Sequence, residues 1–566
     1  MIPRRAFLQG ALCLAVCLGA FTGAGLAQDA KPPVAIGLAP ITDWSTQQPF
    51  LDVMKTARRW IGHEPGRWGG RSFEALEASG LLDDEGWPMS KPSDLGAIGT
   101  LILTDMPEGA GALAGRYLLR FEGEGIVEVS GRATNVRYGR GEVTFDYTPG
   151  PGPVEIRIQR SDPARTGDYV RSITVVKDEH VAAFDAGAVF RPAWLDMLDG
   201  FEALRFMDWM NTNDHGPVAW EARARVSDFS YTRHGAPVEI MSALAAEVGA
   251  DLWINIPHLA DDAYVRTYAE ALRAVLPEGS RAYVEFSNEL WNWQFLQTEW
   301  ADAQGQTRWG IQHRGAQFYG MRAAEVADIF SDVFAQDRAR LINVIATQTA
   351  WLGLETDVLG APLAVQEGQR PPHEAFDAYA VTGYFGHVLG TERRAELITG
   401  WLAASADAAE AEGRAQGLAG VALDMHMAKH RFDLATQMAA EELIDGRHSG
   451  DPDDTLTDLL DRVLPYHAEV AARHGLDLIM YEGGTHVVGI GTRVDDDALT
   501  AFFTHLNYAP QMGAIYDALM AGWAASTPGI FNVFTDVQAA SKWGSWGALR
   551  YPGDTSARWQ VIERRK

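Results

Sequence analysis

Eight short apolar segments recur along the chain, and each one ends in polar or aromatic residues. Their apolar character is nearly continuous, which is typical of strands that are buried on both faces of a sheet. Segments with helical spacing of apolar residues lie between them, such as 238–248, which stops at Gly249. The predicted strands are 34–39, 203–209, 252–257, 281–287, 341–347, 378–384, 478–481 and 529–534.

This alternation of strand and helix predicts an α/β fold, the (β/α)8 or TIM barrel. An open doubly wound sheet is the alternative, and it should carry a glycine-rich phosphate-binding turn after its first strand. The residues after the first predicted strand are Pro-Ile-Thr-Asp-Trp at 40–44, without a glycine. The barrel is therefore the favoured fold.

The pattern changes between about residues 72 and 177, where apolar residues alternate with polar ones. Glycines and prolines, as at 149–153, interrupt these segments about every ten residues, which favours an antiparallel β-sandwich inserted between the first two barrel strands. We expect a first β/α unit of the barrel at 28–71, the sandwich at 72–177 and the remainder of the barrel at 178–566. A second insertion at about 389–473 is rich in Ala, Glu and Asp and is expected to be helical.

The first 27 residues have the features of an export signal peptide. Two arginines precede an apolar segment at 11–21, and small residues follow up to Ala27, a pattern that fits a twin-arginine signal or an ordinary secretory one. The apolar segment is too short for a good membrane span, so we expect a periplasmic or secreted protein with no stable span after cleavage. Cys13 and Cys17 are the only cysteines, and both lie in this segment, so the mature chain would have no disulfide.

The charge of the chain narrows the classes of partner. The 566 residues include 48 Lys and Arg against 75 Asp and Glu, a formal net charge of −27 at pH 7. Nucleic-acid binders present basic surfaces, so this balance argues against a nucleic-acid partner, and it disfavours a polyanionic glycan as substrate. The 18 tryptophans fit a large core, but indole rings are also surfaces on which sugars stack. The sequence makes no prediction of the oligomeric state.

The candidate chemistry lies at the ends of the predicted strands, because the active site of a TIM barrel is at the carboxyl ends of its strands. Glu289 follows Asn288 after the fourth strand, and Glu482 ends the seventh, where Gly483 and Gly484 would let a ligand approach the backbone. A lone glutamate at such a position is usually a solvated residue or an ion-pair partner. Two carboxyl groups at one barrel mouth are the minimum for glycoside hydrolysis, in which one protonates the leaving oxygen and the other serves the anomeric carbon.

Residues at the other strand ends complete the candidate site. Arg205 ends the second strand; a buried arginine needs a carboxylate partner, and a nucleophilic glutamate needs a cation to stay ionised. No cofactor or metal is expected, and His426 and His430 are disfavoured as a zinc pair because no glutamate follows His426 as in a metalloprotease. The other candidates for substrate binding are His258, Trp291, Trp293, Gln348, Tyr384 and Trp543.

The motif Asn288-Glu289 at the fourth strand, with Glu482 at the seventh, resembles glycoside hydrolase clan A. This clan comprises retaining (β/α)8 glycosidases and includes many cellulases, mannanases and xylanases. The chain is also similar to secreted bacterial proteins described as cellulose-binding or cellulase-like. The resemblance implies a hydrolase acting on a β-linked polysaccharide or oligosaccharide by a two-glutamate double displacement.

The resemblance also implies a role for each residue. Glu289 would be the acid/base and Glu482 the nucleophile, which Arg205 and Tyr384 would hold ionised and aimed. Asn288 would bind the 2-hydroxyl of the substrate, Trp543 would form the floor of the reacting subsite, and Trp291 or Trp293 could line neighbouring subsites. The alternative is a catalytically silent glycan-binding protein on the same scaffold, but such a protein has no need for both glutamates.

Overall fold

The computed structural model describes residues 32–216 and 219–566, so the predicted export signal lies outside the described residues. In chain order the strands are β1 (Val34–Gly37), β2 (Ile61–His63), β3 (Gly70–Arg71), β4 (Ala97–Ile102), β5 (Gly115–Glu122), β6 (Gly125–Gly131), β7 (Thr134–Tyr138), β8 (Glu142–Tyr147), β9 (Val154–Ser161), β10 (Arg171–Lys177), β11 (Ala203–Arg205), β12 (Asp251–Ile256), β13 (Ala282–Phe286), β14 (Leu341–Ala346), β15 (Ala378–Phe385), β16 (Asp477–Thr485) and β17 (Phe531–Val533).

Strand β1 and strands β11 to β17 close into a barrel of parallel strands in chain order, which confirms the TIM-barrel prediction. All eight predicted segments supply a barrel strand, although their ends differ by a few residues. Every residue of β12 and β13 is buried, which explains why the apolar pattern of these strands is nearly continuous, with Asn255 and Glu285 as the polar residues inside it. The carboxyl ends of the eight strands therefore meet at one mouth, as a shared site requires.

Helices follow most of the barrel strands and pack on the outside of the barrel. Helix α4 ends where the sequence predicted, because Gly249 adopts a left-handed φ of 69° that glycine takes without strain. The helices are α1 (Phe73–Ala78), α2 (Val181–Asp185), α3 (Pro192–Leu198), α4 (Val238–Val248), α5 (Asp262–Val275), α6 (Leu296–Trp309), α7 (Gly315–Val333), α8 (Leu354–Gly360), α9 (Pro362–Gln366), α10 (Ala395–Ala415), α11 (Val421–His430), α12 (Asp433–Asp445), α13 (Leu456–Asp458), α14 (Leu464–His474), α15 (Asp497–Tyr508), α16 (Gln511–Ser526) and α17 (Ala557–Arg565).

The inserted module consists of two antiparallel sheets between β1 and β11, with strand orders β10-β5-β8-β7 and β3-β2-β4-β9-β6. It begins earlier than residue 72, the expected boundary, because β2 pairs with both β3 and β4. The segment 28–71 therefore does not form a complete β/α unit, and its described part contains no α-helix. The three-residue β2 has only one large apolar side chain, Ile61, and is too short to show an alternating pattern.

The second insertion, between β15 and β16, contains helices α10 to α14. Among the helices of the described residues, none combines the length and the apolar character needed to cross a membrane. The barrel and its helices share one buried core, and the inserted module has a second core of its own that also includes Phe229 of the barrel domain.

Candidate active site

A β-bulge in β16 brings two consecutive side chains to the barrel mouth. The register with β15 shifts between Met480 and Glu482, so Tyr481 is the extra residue. Consecutive side chains of a regular strand face opposite sides, and a bulge changes their direction. As a result, Tyr481 donates a hydrogen bond from Oη to Oε1 of Glu289 at 2.8 Å, while the next residue, Glu482, receives its own donors in the same mouth.

The carboxylate of Glu482 is bound by a cation and a phenol. Arg205 donates from Nη1 to Oε1 at 2.7 Å, and Tyr384 donates from Oη to Oε2 at 3.0 Å. The other terminal nitrogen of Arg205, Nη2, donates to Oε2 of Glu285 at 3.0 Å. Arg205 therefore lies between two buried carboxylates. The sequence proposed Arg205 and Tyr384 as neighbours of Glu482, but it did not identify Glu285, which precedes the strand end.

Burial raises the pKa of Glu482 above its ordinary value. Arg205 and Tyr384 act in the opposite direction, as expected from the sequence, while the charge of Glu289 adds to the increase. The net direction is upward, because a carboxylate this deep in the barrel loses its hydration. Sequence reasoning anticipated the donors but not the cost of burying their acceptor.

Glu289 lies in a strained turn after β13. Ser287 has a φ of 59° and Glu289 a φ of 45°, in the left-handed region that costs a non-glycine residue about 1 kcal/mol or more. Side chains from neighbouring elements accordingly hold all three carbonyl oxygens of the turn. These donors are Asn255 Nδ2 to Ser287 O at 2.8 Å, Gln297 Nε2 to Asn288 O at 2.9 Å and Thr298 Oγ1 to Glu289 O at 3.3 Å.

The carboxylate of Glu289 accepts hydrogen bonds from neutral donors. Its Oε1 is bound by Tyr481, and its Oε2 accepts from Nδ2 of Asn292 at 2.8 Å. Asn288 does not contact this carboxylate; its Oδ1 accepts from Nη2 of Arg205 at 2.9 Å. A cation thus contacts Glu482 but not Glu289, so the two carboxyl groups have different surroundings.

The four predicted aromatic and amide residues that follow β13, β14 and β17 have different surroundings. Trp291 is only 6% exposed and contacts Tyr481 edge-on, so it supports that side chain from behind. Trp293 and Trp543 are more than half exposed. The side-chain oxygen of Gln348 accepts a hydrogen bond from the backbone N–H of Trp351 and shapes that loop.

The ring beside Tyr384 is Trp546, with 5.9 Å between the ring centroids. Trp543 contributes only its backbone oxygen there, which accepts from Nε1 of Trp546 at 2.9 Å. His486 packs against both Tyr384 and Trp546. Trp546 is therefore the indole ring that packs beside Tyr384, and the sequence gave no signal that could separate it from Trp543; the role predicted for Trp543 stays a prediction.

His258 lines a cavity whose lining includes neither Glu289 nor Glu482. It lines a space of about 560 Å³ together with Trp300, Phe318 and Arg322. Burial lowers the pKa of His258 to about 4, so its imidazole is neutral at neutral pH. His258 follows the third barrel strand, β12, and four residues later the chain begins α5 at Asp262, so its role in substrate binding stays a prediction.

A fourth carboxyl group, that of Asp208, lies three residues after β11 and was not recognised from the sequence. It is partly exposed, and no hydrogen bond or ion pair reaches its carboxylate within residues 32–216 and 219–566. Burial raises the pKa of Asp208 to about 7; Arg205 opposes this increase and Asp536 adds to it. Asp208 is thus an unpartnered acid that lies within the electrostatic influence of Arg205.

Replacing Asp208 by asparagine should make stability less dependent on pH. The carboxyl group loses its proton near pH 4 in the unfolded chain and near pH 7 in the folded protein, so between these values the folded state binds more protons and stability falls as pH rises. The slope cannot exceed about 1.4 kcal/mol per pH unit for one group. Melting temperatures measured from pH 4.5 to 7.5 should rise for Asp208→Asn relative to wild type as the pH increases. The control is Asp407→Asn at an exposed position of α10, whose melting temperature should differ from that of wild type by the same amount at every pH. A constant difference for both variants would contradict the assignment.

Replacing Arg205 by methionine should destabilise the protein strongly. Glu285 and Glu482 would remain buried without their cation, and breaking such a pair typically costs about 3–5 kcal/mol. Arg414→Met is the matched control, because the Arg414–Glu410 pair is exposed and such pairs contribute about 1 kcal/mol or less. Urea unfolding followed by circular dichroism measures both, and equal small losses in the two variants would show that the buried cluster is not needed for stability.

Within the described part of the chain, no group of three or more His, Cys, Asp or Glu side chains is arranged to hold a metal ion. His426 and His430 do face each other on α11, with ring centroids 4.5 Å apart, and Nδ1 of His430 lies 2.7 Å from Oδ2 of Asp433.

Comparison with known proteins gives no family assignment. No protein-family model matches the chain, and no curated protein matches its sequence. Among solved structures, it resembles one from a study of two fungal β-1,4-galactanases, with 10% identity, 59% of this chain and 92% of that chain covered, and a TM-score of 0.26. A likeness this distant does not indicate a reaction or a substrate.

Proposed function

We propose that this protein is a retaining glycoside hydrolase that acts on a β-linked polysaccharide or oligosaccharide. The observation that carries the proposal is the pairing of Glu289 and Glu482 at one barrel mouth, each carboxylate bound by two side-chain donors. The bulge at Tyr481 connects the two groups through adjacent residues. This arrangement supplies the acid and the nucleophile that a double displacement requires.

In the first step Glu482 attacks the anomeric carbon while Glu289 gives its proton to the departing oxygen. In the second step Glu289 takes a proton from water, and that water displaces Glu482 with overall retention. Glu482 loses its negative charge when it becomes an ester. Arg205 then keeps Glu285 as its partner, so the intermediate contains no buried unpaired cation.

One observation favours the alternative, a catalytically silent glycan-binding protein. Burial raises the pKa of Glu482, and a protonated carboxyl group cannot attack carbon. The enzyme proposal therefore requires activity to fall on the acidic side as Glu482 takes up its proton. The binding-protein alternative requires no turnover at any pH.

The test is hydrolysis of a panel of soluble β-glycans between pH 5 and 9, detected by new reducing ends. Proton NMR of the first product formed gives its anomeric configuration. Release of a β-anomer at early times supports retention, and an initial α-anomer contradicts the role of Glu482. Binding without release across the panel would favour the alternative.

The proposal includes export of the protein to the periplasm or the exterior, where polysaccharides are found. The support is the twin arginine and apolar pattern of the first 27 residues. Replacing both arginines by lysine and separating the cell fractions distinguishes the routes, since a twin-arginine signal should fail and an ordinary secretory signal should not.

A further inference from the structure

Four tryptophans in the loops at the barrel mouth are largely exposed. The described residues contain five exposed tryptophans, and the fifth, Trp68, belongs to the inserted module. An indole ring that stays in water lacks the stabilisation that burial would give. Four such rings at one end of the barrel therefore indicate a ligand-binding surface. The four, with their exposed fractions, are Trp44 after β1 (55%), Trp293 after β13 (58%), Trp351 after β14 (54%) and Trp543 after β17 (64%).

The order of strands places the strands that precede these rings in two pairs. Strands β13 and β14 are neighbours, and so are β17 and β1. The two pairs of strands are four positions apart in a closed barrel of eight, so they lie on opposite sides of the mouth. Glu289 and Glu482 occupy the mouth that the two pairs of strands flank, and Arg205 donates to both Glu482 and Asn288, the residue before Glu289.

The loop of Trp44 is braced by the inserted module. Asp43 accepts two hydrogen bonds from Arg58, at 3.0 and 2.9 Å, and its backbone oxygen accepts from the N–H of Thr104 at 2.8 Å. The guanidinium carbon of Arg58 lies 5.4 Å from the centre of the Trp44 ring. Residues of the module thus hold the loop that carries the exposed ring of Trp44.

The loops on the opposite side are held by their own side chains. Gln348 accepts from the N–H of Trp351, and Asn292, the residue before Trp293, accepts from the N–H of Gln294 at 3.1 Å. The same Asn292 donates to Glu289, so the Trp293 loop is tied directly to the catalytic carboxyl group. The rings of Trp44, Trp293 and Trp351 therefore lie on loops that side-chain hydrogen bonds hold in place.

The charge around the carboxyl pair disfavours an anionic chain. Arg205, which binds Glu482, also binds Glu285 and acts on the carboxyl group of Asp208, so three acids share this cation. A uronate would meet acids of the same sign in a setting of reduced dielectric. Neutral sugar rings, whose apolar faces stack on indole and whose hydroxyls donate to carboxylates, fit both features.

We propose that the barrel mouth binds an internal segment of a long, neutral glycan chain, with one pair of tryptophans on each side of the bond that is cut. Trp293 and Trp351 hold one flank of the chain, and Trp44 and Trp543 hold the other. Cleavage is consequently endo. This inference rests on the proposed glycosidase function for the cutting step but not for the binding step.

The test uses Glu482→Gln protein, so that binding is measured without turnover. Affinity electrophoresis in gels containing β-1,4-galactan, glucomannan, xylan, mixed-linkage β-glucan or polygalacturonate measures retention. We expect retention by at least one neutral polymer and not by polygalacturonate. Trp293→Ala/Trp351→Ala and Trp44→Ala/Trp543→Ala should each weaken it by about tenfold or more, as expected for the loss of two stacking rings. Trp68→Ala, an exposed tryptophan of the module, is the matched control and should leave it unchanged.

Four outcomes of the binding experiment would overturn the inference: no retention by any polymer, retention by polygalacturonate alone, dependence on only one of the two pairs, or loss in Trp68→Ala alone, which would place the binding site on the module. With wild-type protein, an early fall in viscosity relative to new reducing ends supports endo cleavage, and slow end-wise shortening contradicts it. Retention without hydrolysis would reject the glycosidase function while leaving the binding site in place. Hydrolysis from chain ends would support the glycosidase function and reject the proposed binding of an internal segment.

Discussion

Glutamine at position 482 should abolish turnover of every substrate, with kcat lower by at least about 10⁴-fold. The amide cannot form the ester with the anomeric carbon, so the double displacement stops before its first product. Its shape preserves the contacts of the site, because the side-chain oxygen can still accept from Arg205 or Tyr384 and Arg205 keeps its contact with Glu285. The expected loss is thus chemical and not structural.

Reducing-end release and hydrolysis of an aryl glycoside measure this effect, and an unchanged or higher melting temperature is the control for folding. Glutamine removes a buried acid whose pKa is raised by burial, so the variant should be no less stable than wild type. Turnover within about tenfold of wild type would show that Glu482 does not act as the nucleophile.

The barrel could be predicted because its signal is repeated eight times and most of the buried strands show a nearly continuous apolar pattern. The inserted module was visible from its alternating pattern, but its first strands were not, because Ile61 is the only large apolar residue of β2. Short strands that are stabilised by pairing partners far along the chain leave little local trace.

The candidate site was predictable where it follows from strand ends and not where it depends on local irregularity. Arg205 and Tyr384 were expected beside Glu482 and contact it. Tyr481 was not expected, because in a regular strand its side chain and that of Glu482 would face opposite sides of the sheet. Only the bulge brings both side chains to the mouth. Asp208 comes after the end of its strand, in a turn whose direction the sequence pattern does not reveal.

Replacing Glu289 by alanine should slow hydrolysis to a degree that depends on the leaving group. General acid catalysis contributes about 10²–10⁴-fold, so natural glycans, whose alkoxide leaving groups need a proton, should lose about that much. An aryl glycoside with an acidic phenol departs without a proton, so its first step should be nearly unaffected. The mutant should then accumulate the glycosyl-enzyme on Glu482, because no base activates water for the second step.

Azide separates this role from that of the nucleophile. A small anion needs no base, so it should fit the space left by the Glu289 side chain, restore turnover of the aryl glycoside and give a glycosyl azide of retained configuration. Asn292→Ala, which removes a donor to Glu289 but leaves the carboxyl group in place, is the matched control and should show no azide rescue. Mass spectrometry of the stalled protein and NMR of the azide product measure both points. An equal loss for aryl glycosides and natural glycans, with no rescue, would mean that Glu289 only positions the substrate and that another group supplies the proton.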